Sequence, residues 1–185
     1  CTNYPTPPSG CPQLVDGKVG KALSFDGVDD YVLASSTNVP VGKASRSILV
    51  WAQSLSYAEV LGFVGYGTGD CPGKQFYIGR RYGTTFGFWG GCADYSFSNI
   101  RTNNWYFLVV TFDGNKIKGY KNGLFEGETV KPINTPIINK IVIGAESIND
   151  GNSFRKFFDG LIDEVRIYNR ALSDQEIKAL YEATK

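Results

Sequence analysis

The 185-residue chain contains no histidine. Its absence removes the usual general base at neutral pH, the Ser-His and Cys-His catalytic systems, and the commonest zinc ligand. No apolar run approaches the roughly 20 residues that a membrane helix needs. The formal net charge is only +1, whereas nucleic-acid binding requires clustered Lys and Arg for phosphate contacts. The composition therefore argues against nucleic-acid binding, membrane insertion and histidine-dependent catalysis.

Methionine is also absent, and the sequence starts at Cys1. Because a missing initiator fits removal of a signal peptide, we expect a processed piece of a larger precursor. Four cysteines suggest local pairing, so we predict the disulfides Cys1–Cys11 and Cys71–Cys92, although three connectivities are open. Disulfides indicate an oxidising compartment, and we expect a secreted or cell-surface protein. A lipidated Cys1 is the alternative, and it would leave Cys11 unpaired.

Short β-type runs separated by turn residues dominate the chain from about residue 20. We predict strands at 22–25, 30–34, 47–52, 60–66, 75–79, 84–89, 105–112, 116–121, 124–129, 140–144 and 160–168. Asp-Gly at positions 26 and 113 and Asn-Gly at 122 are strong turn signals between them. This pattern predicts one all-β sandwich domain over 20–185, preceded by a Pro-rich, disulfide-closed arm over 1–19.

One helix is predicted at the C-terminus. Ser173 and Glu176 have the spacing of a capping box, and Ile177, Leu180 and Tyr181 then share one apolar face. We expect this helix to pack back on the sandwich.

Three segments together resemble the laminin-G-like, concanavalin A-like jelly-roll family. They are 22–32 (ALSFDGVDDYV), 105–114 (WYFLVVTFDG) with 119–123 (GYKNG), and 158–177 (FDGLIDEVRIYNRALSDQEI). The resemblance implies two packed antiparallel sheets, one of them concave, with a short C-terminal helix. It leaves function open, because this fold carries lectins, carbohydrate-binding modules, adhesion domains and glycosidases.

The resemblance also implies a structural calcium ion near the opening hairpin and the closing strand. The matching positions are Asp26, Asp29, Asp30 and Asp163. Calcium takes about six to eight oxygen ligands, which an acid-rich turn containing glycine can supply as carboxylates and carbonyls. Alternatively, Asp26 and Asp30 only cap turns and Asp163 accepts backbone hydrogen bonds.

The stretch 66–97 is the best candidate for a ligand site, because it combines many glycines and aromatics with the predicted Cys71–Cys92 disulfide. Sugars stack on aromatic rings while polar groups fix their orientation. We predict an aromatic platform of Tyr82, Trp89 and Tyr95, with Arg80, Arg81, Asp70 and Asp94 as polar contacts. The adjacent arginines would favour an acidic glycan. Alternatively, Trp89 is a core residue between the sheets.

No acidic pair has the arrangement that a glycosidase requires. Asp163 and Glu164 are neighbours on a predicted strand and so point to opposite faces. Glu146 and Asp150 lie in a Gly/Asn-rich loop that we expect to be solvated. We therefore predict a non-catalytic, lectin-like carbohydrate-binding module. Its loop aromatics and arginines hold the glycan, and calcium supports its fold. The alternative is an adhesion or structural domain that contacts another surface protein.

Overall fold

A computed structural model describes residues 11–57, 60–81, 83–137, 140–148 and 152–185. In these ranges the chain forms strands and one C-terminal helix. The elements are β1 (Gln13–Asp16), β2 (Lys21–Asp26), β3 (Val32–Ser35), β4 (Arg46–Ser54), β5 (Leu61–Gly67), β6 (Gln75–Arg81), β7 (Thr85–Trp89), β8 (Tyr95–Asn99), β9 (Trp105–Phe112), β10 (Lys116–Lys121), β11 (Leu124–Val130), β12 (Lys140–Ile143), β13 (Glu146–Ile148), β14 (Ser153–Arg155), β15 (Asp159–Tyr168) and α1 (Asp174–Thr184).

The strands build two main antiparallel sheets that pack as a jelly-roll sandwich. The seven-stranded sheet has the order β1-β2-β15-β4-β9-β10-β11, and the six-stranded sheet has the order β3-β12-β5-β6-β7-β8. Strands β13 and β14 form a separate hairpin. The predicted all-β, two-sheet antiparallel sandwich with a short C-terminal helix is confirmed.

The core lies between the sheets and follows the alternation of side chains along each strand. On β6 and β7 the inward positions are fully buried aromatic and aliphatic residues, namely Phe76, Ile78, Phe86 and Phe88. Successive side chains of a strand point to opposite faces. Tyr77 and Trp89 therefore lie on the outer face of the six-stranded sheet, where they form a separate buried cluster with Val142 and Ala145.

Helix α1 covers the outer face of the seven-stranded sheet. The Ser173 hydroxyl accepts a hydrogen bond from the Glu176 backbone N–H (3.3 Å), and the Glu176 carboxylate accepts one from the Ser173 backbone N–H (2.9 Å). The predicted capping box is thus confirmed. Ile177 anchors the helix in a cluster with Trp51 and Phe107. No helix in the described part of the chain is long and apolar enough to cross a membrane.

The last residues of the predicted N-terminal arm join the sandwich. Strand β1 pairs with β2 and forms one edge of the seven-stranded sheet. Cys11 is disulfide-bonded, whereas Cys1, its predicted partner, lies outside the described residues.

Candidate functional site

The outer face of the six-stranded sheet carries a cavity of about 220 Å³. Strands β6 and β7, the β13–β14 hairpin and the loop closed by the Cys71–Cys92 disulfide all contribute to its lining. The chemically informative lining residues are Arg81, Trp89, Asp94, Glu146, Arg155 and Lys156. The β13–β14 hairpin lies over this sheet. It therefore brings Arg81 and Lys156, which are 75 positions apart in the sequence, into one site.

Trp89 is the aromatic residue of the cavity, but it is not an exposed platform. Its side chain is only 3% exposed and stacks on Tyr77, with 6.3 Å between ring centroids and an interplanar angle of 19°. The ring approaches the backbone of Gly79 so closely that a Cβ at that position would overlap the indole. Lys156 Nζ lies 4.8 Å from the ring centroid. The Trp89 Nε1–H has no hydrogen-bond acceptor within the structure.

Glu146 organises the charged side of the cavity. Its carboxylate is buried and accepts hydrogen bonds from Arg155 Nε (2.8 Å) and Gln75 Nε2 (3.2 Å), and it forms an ion pair with Lys156 Nζ (2.8 Å). Burial raises the pKa of Glu146, but the hydrogen bonds from Arg155 and Lys156 outweigh burial and hold the pKa below its ordinary value. The group is thus an ionised acceptor at neutral pH, and it ties the hairpin to β6.

The opposite side of the cavity is fixed by Asp94. Its Oδ2 forms an ion pair with Arg81 Nη1 (3.0 Å), and its Oδ1 accepts a hydrogen bond from the Gly90 backbone N–H (2.8 Å). The Cys71–Cys92 disulfide, confirmed by a Cα–Cα distance of 5.2 Å, holds the adjoining loop. Gly91 adopts a φ of +59°, and a Cβ there would collide with the Asp70 carbonyl. In this backbone conformation the loop lies directly beside the cavity, which Gly91 lines.

Of the predicted ligand residues, the structure brings Arg81, Trp89 and Asp94 together. Arg80 lies on the opposite face of β6, fully buried, where it donates hydrogen bonds to Ser54 Oγ (3.0 Å) and the Gly83 carbonyl. Because adjacent strand residues point in opposite directions, the two arginines do not act as a pair.

The remaining predicted ligand residues are not assembled in the cavity. Tyr95 pairs with Phe88 of β7 and packs edge-to-face on Phe97, with the centroids 5.2 Å apart. Asp70 is exposed in the disulfide loop and does not line the cavity. Tyr82 lies outside the described residues. The alternative that placed Trp89 between the sheets is wrong, because its cluster lies on the outer face.

Sequence reasoning missed Gln75, Glu146, Arg155 and Lys156. The prediction that the Glu146 loop is solvated is wrong, because Glu146 is 3% exposed; Asp150 lies outside the described residues. The available signal was the opposite charge of Glu146 and Arg155, which are directly paired across β13 and β14.

A cluster of three acidic side chains lies at the turn between β2 and β3, apart from the cavity. Asp26, Asp29 and Asp30 each present one carboxylate oxygen, and these oxygens lie within 4.8 Å of one another. Burial, together with the charges of Asp26 and Asp29, raises the pKa of Asp30. The Asp26 carboxylate also accepts a hydrogen bond from the Val28 backbone N–H (2.8 Å). The Asp30 carboxylate accepts one from the Asp26 backbone N–H (3.0 Å), so both side chains cap the turn as the alternative interpretation expected. The three crowded carboxylates are also oxygen ligands of the kind that calcium takes.

The structure places Asp163 apart from this group. Its Oδ2 accepts a hydrogen bond from the Val19 backbone N–H (2.8 Å) and its Oδ1 from that of Glu164 (2.7 Å), as the alternative interpretation of the sequence expected. The β15 residue paired with Asp26 is Asp159. Burial and the charge of Asp26 raise the pKa of Asp159.

Comparison with known proteins identifies the fold. The sequence model described as the concanavalin A-like lectin/glucanases superfamily matches residues 26–178. The chain is similar to domain 4 of an extracellular GH43 arabinanase from Geobacillus stearothermophilus, solved in complex with arabinotriose, with 23% identity and a TM-score of 0.69 over 92% of this chain and 81% of that chain. No curated protein matches the sequence.

Two further solved structures share the fold. A SAP-like pentraxin from Limulus polyphemus is 14% identical, with a TM-score of 0.68 over 85% of this chain and 80% of that chain. The CBM40 of a Ruminococcus gnavus sialidase, solved with sialyllactose, is 16% identical, with a TM-score of 0.61 over 75% and 82% of the two chains. At these identities the similarity establishes the architecture and not the ligand.

Proposed function

The chain belongs to the concanavalin A-like lectin/glucanases superfamily, and from this membership we propose that it is a non-catalytic carbohydrate-binding module of a secreted or cell-surface protein. The glycan binds in the cavity on the outer face of the six-stranded sheet. The Cys71–Cys92 disulfide supports the extracellular assignment, because disulfides persist in oxidising compartments. Two neighbours of the same fold were solved with saccharides, arabinotriose and sialyllactose.

The observation that carries the proposal is the composition of the cavity. An indole with an unsatisfied N–H lies among fixed charged groups, with Arg81 held by Asp94 and Arg155 held by Glu146. Saccharide sites use a few polar groups in fixed orientations, and the charged groups here have partners that fix their positions. A disulfide restrains the neighbouring loop, which lowers the entropic cost of ordering it on binding.

The two carboxylates of the cavity support binding more than hydrolysis. A glycosidase needs one carboxylic acid with a raised pKa to protonate the leaving group. Glu146 has a pKa held below its ordinary value by Arg155 and Lys156, and Asp94 is engaged by Arg81 and Gly90. Glu146 therefore does not provide a protonated acid at neutral pH.

The proposal includes a calcium ion at the turn between β2 and β3. Asp26, Asp29 and Asp30 would hold it, and the ion would neutralise their mutual repulsion and stabilise the turn. Asp163 is left out of this site, because its carboxylate does not belong to the group that Asp26, Asp29 and Asp30 form.

A glycan array tests the proposal, run on folded protein first in calcium and then in EDTA. We expect selective retention of one saccharide class, and loss of that signal when Arg81, which lines the cavity, is replaced by Gln. Lys116→Gln, which removes an exposed cation from β10 of the other sheet, is the matched control and should bind normally. A blank array from folded protein, repeated with soluble polysaccharides, contradicts carbohydrate binding.

A second candidate function, contact with another surface protein, rests on the edge strand β11. This strand ends the seven-stranded sheet and exposes Leu124 (65%), Phe125 (50%) and Val130 (62%). Exposed apolar side chains on an unpaired edge are typical of protein contact sites. If this is the function, Val130→Lys abolishes adhesion of the protein to a cell surface, whereas the cavity variant Arg81→Gln leaves adhesion unchanged.

A further inference from the structure

The cavity has a surplus of hydrogen-bond donors and of positive charge. Resting on the proposed glycan binding, we propose that the site selects an acidic saccharide, one bearing a carboxylate or a sulfate group, and that Arg155 and Lys156 are the residues that contact this group.

The acceptor capacity of Glu146 is already used by the protein. Its Oε1 accepts from Gln75 Nε2 (3.2 Å) and Arg155 Nη2 (3.5 Å), and its Oε2 is shared by Arg155 Nε and Lys156 Nζ (both 2.8 Å). A neutral sugar hydroxyl that donates a hydrogen bond would have to displace one of these charged donors. The cost of that displacement disfavours ligands that bring only hydroxyl donors to this side.

Asp94 is also bound by donors of the protein. Its Oδ1 accepts a hydrogen bond from the Gly90 backbone N–H (2.8 Å), and its Oδ2 forms an ion pair with Arg81 Nη1 (3.0 Å), although its side chain remains 30% exposed. Asp94 therefore supports Arg81, whereas Glu146 is the carboxylate whose acceptor sites are filled.

Arg155 and Lys156 keep N–H donors that the protein does not use. An arginine has five N–H donors and an ammonium has three. Arg155 uses Nε and Nη2 on Glu146, and its side chain remains 51% exposed; Lys156 directs its ammonium at the same carboxylate and remains 32% exposed. A ligand that supplies oxygen acceptors satisfies these groups without breaking the existing contacts.

The charge balance points the same way. Arg81, Arg155 and Lys156 face Asp94 and Glu146, which leaves the lining with one net positive charge. A carboxylate or sulfate neutralises this charge, and charge-assisted hydrogen bonds to it are stronger than those to a neutral hydroxyl. The cavity volume of about 220 Å³ lies below the roughly 300–1,000 Å³ of pockets for drug-sized ligands, so we infer that one acidic sugar ring occupies it.

Calorimetric titration of the full chain tests this inference. The probes are trigalacturonic acid, sialyllactose and sulfated lactose, each compared with its neutral counterpart, galactotriose or lactose. We expect at least one acidic probe to bind about tenfold or more tightly than its counterpart, as a hydrogen bond to a charged group predicts. Raising the ionic strength should weaken that binding. The response to uronate and sialate against sulfate distinguishes a carboxylate ligand from a sulfate ester.

Arg155→Gln should lower the affinity for the acidic probe about tenfold and leave that for a neutral sugar unchanged. Arg170→Gln is a matched control, because Arg170 is an equally exposed arginine (52%) paired with a glutamate, Glu176, beside the helix. If the melting temperature of the Arg155→Gln variant is lower than that of the wild type, Lys156→Gln is used in its place.

Equal binding of acidic and neutral probes overturns the inference but leaves the proposed function intact. Equal loss in the Arg170 control also overturns it, because the effect then comes from overall charge. If no saccharide of either kind binds to the folded protein, the proposed function and this inference both fall.

Discussion

Trp89 has a structural role and, in the proposed site, a binding role, and its burial decides which substitution can separate them. The indole packs on Tyr77 and Gly79, so truncation to alanine removes core contacts as well as any contact with a ligand. Large-to-small changes of this kind cost about 3–5 kcal/mol. Loss of glycan binding in such a variant would therefore report unfolding rather than recognition.

Trp89→Phe retains an aromatic ring and removes only the Nε1–H and part of the ring surface. We expect glycan affinity to fall about fivefold to tenfold, the value of one neutral hydrogen bond. Calorimetry measures the affinity, and circular dichroism verifies the fold. The control is Trp105→Phe, a half-buried tryptophan of the other sheet, which should bind normally. Unchanged affinity in the Trp89 variant contradicts a role for the indole N–H.

Glu146→Gln tests the charged network through its pH dependence. The folded-state pKa of Glu146 lies below the ordinary 4.5, so the ionised form stabilises the fold above about pH 4.5 and this contribution is lost as the pH falls through the folded-state pKa. We expect the variant to be about 1–3 kcal/mol less stable than wild type at pH 7. Urea unfolding should show this gap narrowing as the pH falls below about 4.5 toward the folded-state pKa.

Glu128→Gln is the control for this comparison, because Glu128 pairs with Lys116 on an exposed edge and should contribute little. A stability gap for Glu146→Gln that does not narrow at any pH below 4.5 at which the protein remains folded would mean that the packing of the side chain, and not its charge, holds the hairpin.

The prediction that Arg80 and Arg81 act together was wrong, although the period of the strand was sufficient to separate them. The alternation that places Phe76 and Ile78 in the core also places Arg80 with them and sends Arg81 outward, so the sequence already contained the means to separate the two arginines. Glu146 could not be placed in this way. Its burial depends on Gln75, which is 71 positions away in the chain.

The Cys71–Cys92 disulfide joins the segment before β6 to the segment between β7 and β8. Replacing both cysteines by serine should cost about 3 kcal/mol of stability, because the bond closes a chain segment with a separation of 21 residues. Glycan affinity should fall as well, since Gly91 and Cys92 line the cavity. Calorimetry at a temperature where the variant is folded separates these effects, and unchanged affinity would exclude the loop from the site.

The turn between β2 and β3 should depend on calcium. Asp30 and Asp159 have pKa values raised by burial and by acidic neighbours, so without a cation this turn is destabilised as the pH rises and the carboxylates ionise. Calcium at about 100 times its Kd should add about 2.7 kcal/mol, which is about 5–10 °C in Tm for a chain of this size.

Differential scanning calorimetry in calcium and in EDTA measures this shift. Asp29→Asn should abolish most of it, whereas Asp16→Asn, which removes an exposed carboxylate from β1, should keep it. The same Tm in both solutions, starting from calcium-loaded protein, contradicts the metal site.

Strands with strong alternation or turn signals, and the capped helix, were predictable from the sequence. The β13–β14 hairpin was not, because its strands are only three residues long and their polar composition resembles that of a loop. These two strands form over the outer face of the six-stranded sheet, and the sequence does not predict where that face lies. The ligand cavity depends on them, which is why the fold was easier to predict than the site.

At the scale of the molecule, the two outer faces of the sandwich are used differently. Helix α1 packs on the seven-stranded sheet through Ile177 in a cluster with Trp51. The six-stranded sheet is covered by the hairpin, which leaves the charged cavity beside Trp89. The closed face stabilises the fold, and the partly covered face presents the site. Superfamily membership fixes the architecture, and the function has to be argued from the chemistry of this cavity.

The most direct measurement is an NMR titration of protein labelled with ¹⁵N-tryptophan, using the saccharide selected by the array. The chain has three indole N–H groups, and that of Trp51 is already bonded to Thr184 Oγ1 (2.9 Å) beneath the helix. If the cavity binds the glycan, the Trp89 indole signal shifts with the saccharide concentration while the Trp51 signal stays fixed. A bound saccharide that leaves the Trp89 signal unmoved would place the binding site elsewhere and contradict the account.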